Sequence, residues 1–309
     1  MANRAATIAV SRLRFAYDGT PALEDVSFAA LRGTITALVG PNGAGKTTLM
    51  RCLAGLEPPE HGTISVAGID VVAEPRAARA RIGFLQDFFG LYERLSVRRV
   101  LDYAARSRLV PAAEREGRIR SVAEALGLAG LLARQAGALS RGQRQRVAIG
   151  AAIIHRPQVL MLDEPAAGLD PEAREELAAL LRSLAAEGMT LLVSSHILAE
   201  LEAYATDVLM LEAGRVIGHG PLVAPARRLA LVVAGSGVAE ARAVLAQHGI
   251  EDTEIEGGTI LFPFAGDLAG QAALLAVLVR AGVPVAALEE RRSSIQSLYL
   301  SRLREARRQ

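Results

Sequence analysis

The sequence predicts an α/β fold: a mixed sheet core with helices on both faces, an antiparallel β subdomain, a helical subdomain, and a small ferredoxin-like α+β domain at the C-terminal end. Three observations predict it. Continuous apolar runs at "TITALVG" (34–40), "QVLMLDEP" (158–165) and "TLLVSSH" (190–196) alternate with helical stretches. Strands apolar on both faces belong to a parallel sheet covered from both sides. The stretch "EAREELAALLRSLAAEG" (172–188) has the apolar stripe of a helix lying on such a sheet. Beyond residue 227 the pattern becomes strand, helix, two strands, helix, strand.

Residues 7–17 and 23–31 read as strands joined across "YDGTP", where Asp18-Gly19 supplies the turn chemistry. A Gly-rich turn follows the strand at 34–40 and opens a helix over about 46–54. "TISVAG" (63–68) reads as another strand of the antiparallel piece. From 74 to 135 the pattern is mostly helical, broken at Gly90, Pro111 and Gly127, and a further helix over 141–155 stops before Pro157. The helical subdomain is thus expected over about 88–155. "DVLMLEAGRVIGHG" (207–220) reads as a strand hairpin, and "PLVAPAR" (221–227) as a linker between a first domain, 1–221, and a second, 226–309. In the second, strands are expected at 229–234, either side of Gly257-Gly258 and at 283–288. Helices are expected at 238–248, 267–281 and 293–305.

The chain has 309 residues, half of them hydrophobic, which suits a large core and argues against wholesale disorder. Its formal charge is only +2. Nucleic-acid binders show a net basic excess or a basic stripe, so no nucleic-acid partner is expected. Lys46 is the single lysine among 35 basic residues. Elsewhere a cation is an arginine, so a compact ammonium at 46 points to a task a guanidinium cannot perform. Cys52 is the single cysteine, which excludes an intramolecular disulfide and reads as a small buried hydrophobe. No secretory signal is read in residues 1–20, and no apolar run approaches the roughly 18–20 residues of a membrane span.

"GPNGAGKTT" (40–48) fits the pattern of a phosphate-binding loop. Gly40, Pro41, Asn42, Gly43, Ala44 and Gly45 would let backbone N–H groups converge on phosphate oxygens at a helix start. Lys46 would reach the β- and γ-phosphates of a nucleotide. Thr47 would ligate Mg²⁺, and Thr48 continues the loop into the helix. Asp163 and Glu164 end an apolar strand. One carboxylate there can hold Mg²⁺ and the next can orient and deprotonate a water. His196 ends the following strand, where a neutral imidazole could help place that water. Gly40, Asp163 and His196 all fall at strand carboxyl ends, where α/β sheets carry their chemistry. In "GALSRGQRQRV" (137–147), Ser140 and Gln143 have capping-box spacing, while Arg141, Arg144 and Arg146 give the segment the look of a nucleic-acid patch.

This set of motifs resembles the ATP-binding subunits of ABC transporters over about residues 7–220. "GPNGAGKTT" is similar to the Walker A loop, "VLMLDEP" to Walker B, "LSRGQ" (139–143) to the signature, and "AAGLD" (166–170) to the D-loop. Gln86 in "IGFLQD" resembles the Q-loop glutamine, His196 the switch histidine, and Tyr17 the aromatic that stacks on adenine. The resemblance implies ATP and Mg²⁺ as cofactors. It implies two copies paired head to tail, each ATP lying between Lys46, Thr47, Gln86, Asp163, Glu164 and His196 of one copy and Ser140, Gly142 and Gln143 of the other. Glu164 would be the base, Gln86 would sense Mg²⁺ and γ-phosphate, and Asp170 would couple the two sites. It further implies a separate transmembrane permease as partner and a place on the cytoplasmic face of the membrane.

One position departs from the commonest family pattern: residue 141 is Arg where Gly is usual. It reads either as a solvated helix-start arginine or as a further phosphate contact. Phe88, Phe89, Leu91 and Tyr92 gather large apolar groups just after Gln86. They are expected to line the groove for the membrane subunit, or else to pack the helical subdomain's core. The C-terminal domain resembles the extension on bacterial exporter ATPases, a resemblance that implies a part in dimerisation or regulation. The rival readings are a soluble ABC ATPase acting on ribosomes or DNA, disfavoured by the single cassette and lack of heptads, and a regulatory subunit that binds ATP without hydrolysing it, disfavoured by Glu164 and His196.

Overall fold

The computed structural model describes residues 6–86, 90–195, 197–222, 228–235, 237–291 and 299. The chain divides into two compact units, one running to Leu222 and also including Tyr299, the other spanning 223–298.

The first unit opens with a hairpin, β1 (Ala6–Tyr17) and β2 (Thr20–Leu31). Its turn, Asp18-Gly19, places both residues at positive φ, 47° and 80°, which matches the right-handed twist of the flanking strands. Then come β3 (Ile35–Val39), α1 (Lys46–Leu53), β4 (His61–Val66), β5 (Ile69–Asp70) and α2 (Pro75–Arg79). A short strand, β6 (Ile82–Leu85), precedes the helices α3 (Val97–Ser107), α4 (Ala112–Ala125) and α5 (Arg141–Ile153). The unit continues with β7 (Val159–Asp163), α6 (Pro171–Ala186), β8 (Thr190–Ser194), α7 (Leu198–Glu202), β9 (Asp207–Glu212) and β10 (Arg215–Pro221).

These strands form two sheets. One is antiparallel, in the order β2-β1-β4-β5; the other has the order β10-β9-β3-β8-β7-β6. In the second, β9, β3, β8, β7 and β6 are parallel and β10 closes one edge antiparallel. All five positions of β3, β7 and β8 are buried, as continuous apolar runs require. Helix α1 lies between the sheets. Leu49, Met50, Cys52 and Leu53 share one cluster with Ile8, Leu13 and Ile64 of the antiparallel sheet and Leu38, Met161 and Leu192 of the parallel one. Burial pushes the Cys52 thiol up to about 12, so it stays protonated and packs as an apolar group.

The strand β6 corrects the expectation that 74–135 is mostly helical. "IGFL" is too short for periodicity to separate a buried strand from a buried helical turn. Its partner decides: Ile82 to Leu85 pair in register with Val159 to Leu162 of β7.

The second unit contains β11 (Arg228–Val233), α8 (Val238–Gln247), β12 (Glu254–Glu256), β13 (Thr259–Pro263), α9 (Leu268–Arg280) and β14 (Val285–Arg291). Its sheet has the order β12-β13-β11-β14, every neighbouring pair antiparallel. That connectivity is the ferredoxin-like βαββαβ. Leu229, Leu231, Ile260 and Phe262 of the sheet pack against Ala241, Leu245, Leu274 and Leu278 of the two helices. The helix expected over 293–305 and most of the linker expected over 221–227 lie outside the described residues. Among the described residues, no helix is long and apolar enough to cross a membrane.

Candidate active site

The parallel sheet brings Gly40, Asp163 and Gln86 to one edge, together with Ser194. Gly40 follows β3, Asp163 ends β7, Ser194 ends β8 and Gln86 follows β6. Asp163 and Ser194 are direct partners in the β7–β8 register, and Leu38 of β3 faces Ser194 from the other side.

The loop from Gly40 to Gly45 turns tightly into α1. Gly45 stands at φ 98° as the N-cap, and a β-carbon there would lie 2.7 Å from the Ala22 carbonyl oxygen. Gly40 approaches the Leu211 carbonyl even more closely, at 2.4 Å from the same virtual atom. Glycine is therefore required by packing at both positions as well as by conformation at Gly45. No side chain caps α1, which leaves its first-turn N–H groups without a side-chain partner and suited to an anion.

Lys46 begins α1 and is only 7% exposed. Its Nζ donates to the carbonyls of Gly40 at 2.8 Å and Pro41 at 3.1 Å. Burial lowers its pKa, and the nearby carboxylates of Glu164 and Asp163 oppose that shift. The ammonium is thus held at the centre of the loop by its own backbone.

Thr47 Oγ1 donates to Asp163 Oδ2 at 2.8 Å. The other carboxylate oxygen, Oδ1, accepts from Ser194 Oγ at 2.5 Å. Ser194 Oγ in turn accepts from the Glu164 backbone N–H at 3.0 Å. The chain Thr47, Asp163, Ser194, Glu164 therefore links three elements through one buried carboxylate. Glu164 has φ 51°, a left-handed conformation that costs a non-glycine residue about 1–3 kcal/mol and concentrates at functional sites. The Ser194 hydroxyl and the turn bond from Ala167 N to Glu164 O, 3.2 Å, hold it there.

Ser194 is a residue that sequence reasoning missed. By itself "TLLVSSH" reads only as a strand leading to His196, and a serine facing a carboxylate across a sheet has no local signature. Ser194→Ala is expected to lower kcat for nucleotide hydrolysis about tenfold, as loss of roughly 1–1.5 kcal/mol of hydrogen bonding implies. Steady-state kinetics beside an equilibrium ATP-binding titration measure this. Unchanged turnover would remove Ser194 from the site.

Oxygen donors of this kind suit Mg²⁺, which takes one or two protein ligands and completes its octahedron with water and phosphate. Among the described residues no group of three or more His, Cys, Asp or Glu side chains is placed to hold a metal ion. Gln86 is exposed and follows Leu85, which pairs with Leu162, so it stands beside Asp163 on the neighbouring strand. No hydrogen bond joins it to Thr47 or Asp163. It opens instead on a groove of about 350 Å³ lined by Ala54, Leu56, Arg79, Phe84 and Arg108.

Tyr17 ends β1, 43% exposed, its ring edge-on to Phe15 at 4.7 Å. Ser140 and Gln143 form the expected capping box on α5: the Gln143 N–H donates to Ser140 Oγ at 3.2 Å and the Ser140 N–H to Gln143 Oε1 at 3.1 Å. Asp170 caps α6 by accepting from the Ala173 N–H at 2.8 Å. The two helix starts lie side by side, since a β-carbon on Gly142 would be 3.0 Å from Ala173 Cβ. Arg146 pairs with Glu176 of α6 at 3.4 Å.

His196 lies outside the described residues, as do Phe88 and Phe89. Of the other two large apolar side chains after Gln86, Leu91 is partly buried and Tyr92 is exposed, its ring edge-on to Tyr103 of α3. Ser195 just before His196 accepts from the Ile197 N–H at 3.0 Å and donates to Glu200 Oε2 at 3.2 Å. Glu200 also pairs charges with Arg174 of α6, N to O 3.1 Å. Sequence reasoning did not single out Arg174 or Glu200, because the pair joins helices 26 positions apart.

Over residues 23–167 the sequence matches the ABC transporter family. It is 38% identical over 220 residues to the daunorubicin resistance ATP-binding protein DrrA3 of Streptomyces coeruleorubidus, covering 71% of this chain and 69% of that one. The chain belongs to the ABC transporter ATP-binding family. This ABC ATPase is also 39% identical over 201 residues to the sulfate/thiosulfate import ATP-binding protein CysA of Mycobacterium tuberculosis, spanning 65% of this chain and 57% of that one. A solved structure of the ATP-binding subunit of an ABC transporter superposes with TM-score 0.63 at 30% identity, covering 80% of this chain and 95% of that one. The chain is accordingly an ATP-binding subunit of an ABC transporter, an ATPase of a family that couples hydrolysis to transport.

Proposed function

We propose that two copies of this ABC ATPase pair head to tail around two ATP molecules and drive export through a separate transmembrane permease at the cytoplasmic face of the membrane. The observation that carries the catalytic part is the linked set Thr47, Asp163, Ser194 and Glu164 beside the buried ammonium of Lys46.

In this reading the glycine loop and α1 start cradle the phosphates, and Lys46 Nζ leaves its backbone carbonyls for the β- and γ-phosphate oxygens. Thr47 Oγ1, the Asp163 carboxylate and Gln86 would hold Mg²⁺. When bound, the ion neutralises charge on the transferred phosphoryl group. Glu164 orients a water in line with the γ-phosphate and takes its proton, assisted by His196. The work is positioning and charge stabilisation of a loose phosphoryl transition state. Tyr17 stacks on adenine.

Ser140, Gly142 and Gln143 complete the site of the second copy. Among the described residues, no hydrogen bond joins them to the phosphate loop of their own chain, which supports a role in trans. Asp170, capping the adjacent helix, couples the two sites. The groove beside Gln86 receives the permease, so that motion of this edge reaches the membrane. DrrA3, named for drug resistance, and the small C-terminal domain support export; CysA is named for import. The C-terminal domain assists dimerisation or regulation.

Fractionation tests the membrane assignment: tagged protein at native levels is expected in the membrane pellet. Recovery with ribosomes or DNA would overturn it. A knockout strain that acquires a nutrient requirement but keeps its resistance to amphipathic compounds would contradict export.

A further inference from the structure

Arg141 is the first residue of α5 and is exposed. Its guanidinium reaches across to the loop 164–170 of its own chain. A β-carbon built on Gly168 would lie 2.6 Å from Arg141 Cζ and 2.8 Å from each terminal nitrogen. The planar group therefore occupies the space that a side chain at position 168 would take. Gly168 also stands at φ 67°, a conformation that favours glycine independently. Among the described residues, no carboxylate pairs with Arg141, so salt bridging does not explain the pose. The loop it covers begins at Glu164, itself at φ 51°, and ends at Asp170, the cap of α6.

We infer that Arg141 is a positioning residue: its guanidinium fills the side-chain space left by Gly168, clamps the loop 164–170 there, and thereby ties the Ser140–Gln143 helix start to the backbone of Glu164 and Asp170 in the same chain. This rests on the proposed roles of Glu164 and of the Ser140–Gln143 segment. It deepens them by naming the physical link. Engagement of the α5 start by a nucleotide on the second copy is felt by this chain's own base through one guanidinium. The contact depends on the planar, weakly hydrated face of arginine, which a lysine ammonium does not have. A direct phosphate contact from Arg141 would instead contribute to nucleotide affinity, and would show as a KM effect that grows with salt rather than as altered exchange in the loop 164–170.

The test compares Arg141→Lys with Arg141→Gly in the full-length chain. Two readouts are used: amide hydrogen exchange over 164–170, and steady-state ATPase. The clamp predicts faster exchange at Gly168 and Leu169 in both variants. It also predicts a five- to tenfold fall in kcat in both, with KM for ATP within twofold of the parent. A Lys variant with parental exchange and kcat would overturn the inference. A defect confined to KM that grows with salt would overturn it in favour of a phosphate contact. Faster exchange without loss of kcat would leave the clamp but overturn its functional role. Glu164→Gln, assayed in parallel, separates the two layers. Retained turnover there refutes the catalytic assignment, while the exchange data still report on the clamp.

Discussion

Glu164→Gln is expected to bind ATP and Mg²⁺, to form a stable dimer, and to lose about 10²–10⁴-fold in kcat, the usual worth of a positioned general base. The substitution keeps shape and one acceptor oxygen but removes the proton-accepting carboxylate. It leaves intact the backbone bond from Glu164 N to Ser194 Oγ, so the left-handed turn survives and the loss is chemical rather than structural. Ground-state binding, which depends on Lys46, Thr47 and the loop amides, should change less than threefold. Single-turnover hydrolysis beside an equilibrium nucleotide titration measures both. A variant that hydrolyses at the parental rate would remove Glu164 as the base.

Lys46→Arg is expected to weaken nucleotide binding about ten- to a hundredfold despite keeping the charge. The ammonium is enclosed by its own loop, with Gly40 and Pro41 carbonyls at 2.8 and 3.1 Å and 7% exposure. A guanidinium is wider, planar, and cannot collapse into a pocket shaped for a point charge. Loss of one charge-assisted contact, roughly 1.5–3 kcal/mol, corresponds to about one to two decades in Kd. Isothermal titration with ATP reads it. Folding should be little changed, because the Lys46 side chain is turned into the loop 40–45 and is not part of the α1 core of Leu49, Met50 and Leu53. Parental affinity in this variant would show that the single lysine of the chain is incidental.

The legible parts of this chain are those whose chemistry is contiguous. A phosphate loop needs glycines and a lysine at fixed spacing, so residues 40–48 announce themselves, and the Ser140–Gln143 cap is written in four residues. Buried parallel strands likewise show as unbroken apolar runs at 35–39, 159–163 and 190–194. What stayed hidden is long-range. β6 is four residues long and becomes a strand through pairing with β7, more than 70 positions away. Ser194 matters because β7 sets Asp163 opposite it. Arg141 read as a solvated arginine or a phosphate contact, and its seat on Gly168 depends on two helix starts being neighbours. The same holds for Arg174 and Glu200, which link α6 to the segment just after position 196.

In the proposed head-to-tail dimer each catalytic site is built from two copies. This is tested most directly by mixing two inactive chains in a Glu164→Gln background, one carrying Lys46→Ala and the other Ser140→Arg. Each homodimer then lacks an essential half of both sites, while the heterodimer retains one complete site. The account predicts that ATP stays on the protein through rapid desalting only in the mixture. Retention by the Ser140→Arg chain alone, or none in the mixture, would contradict it.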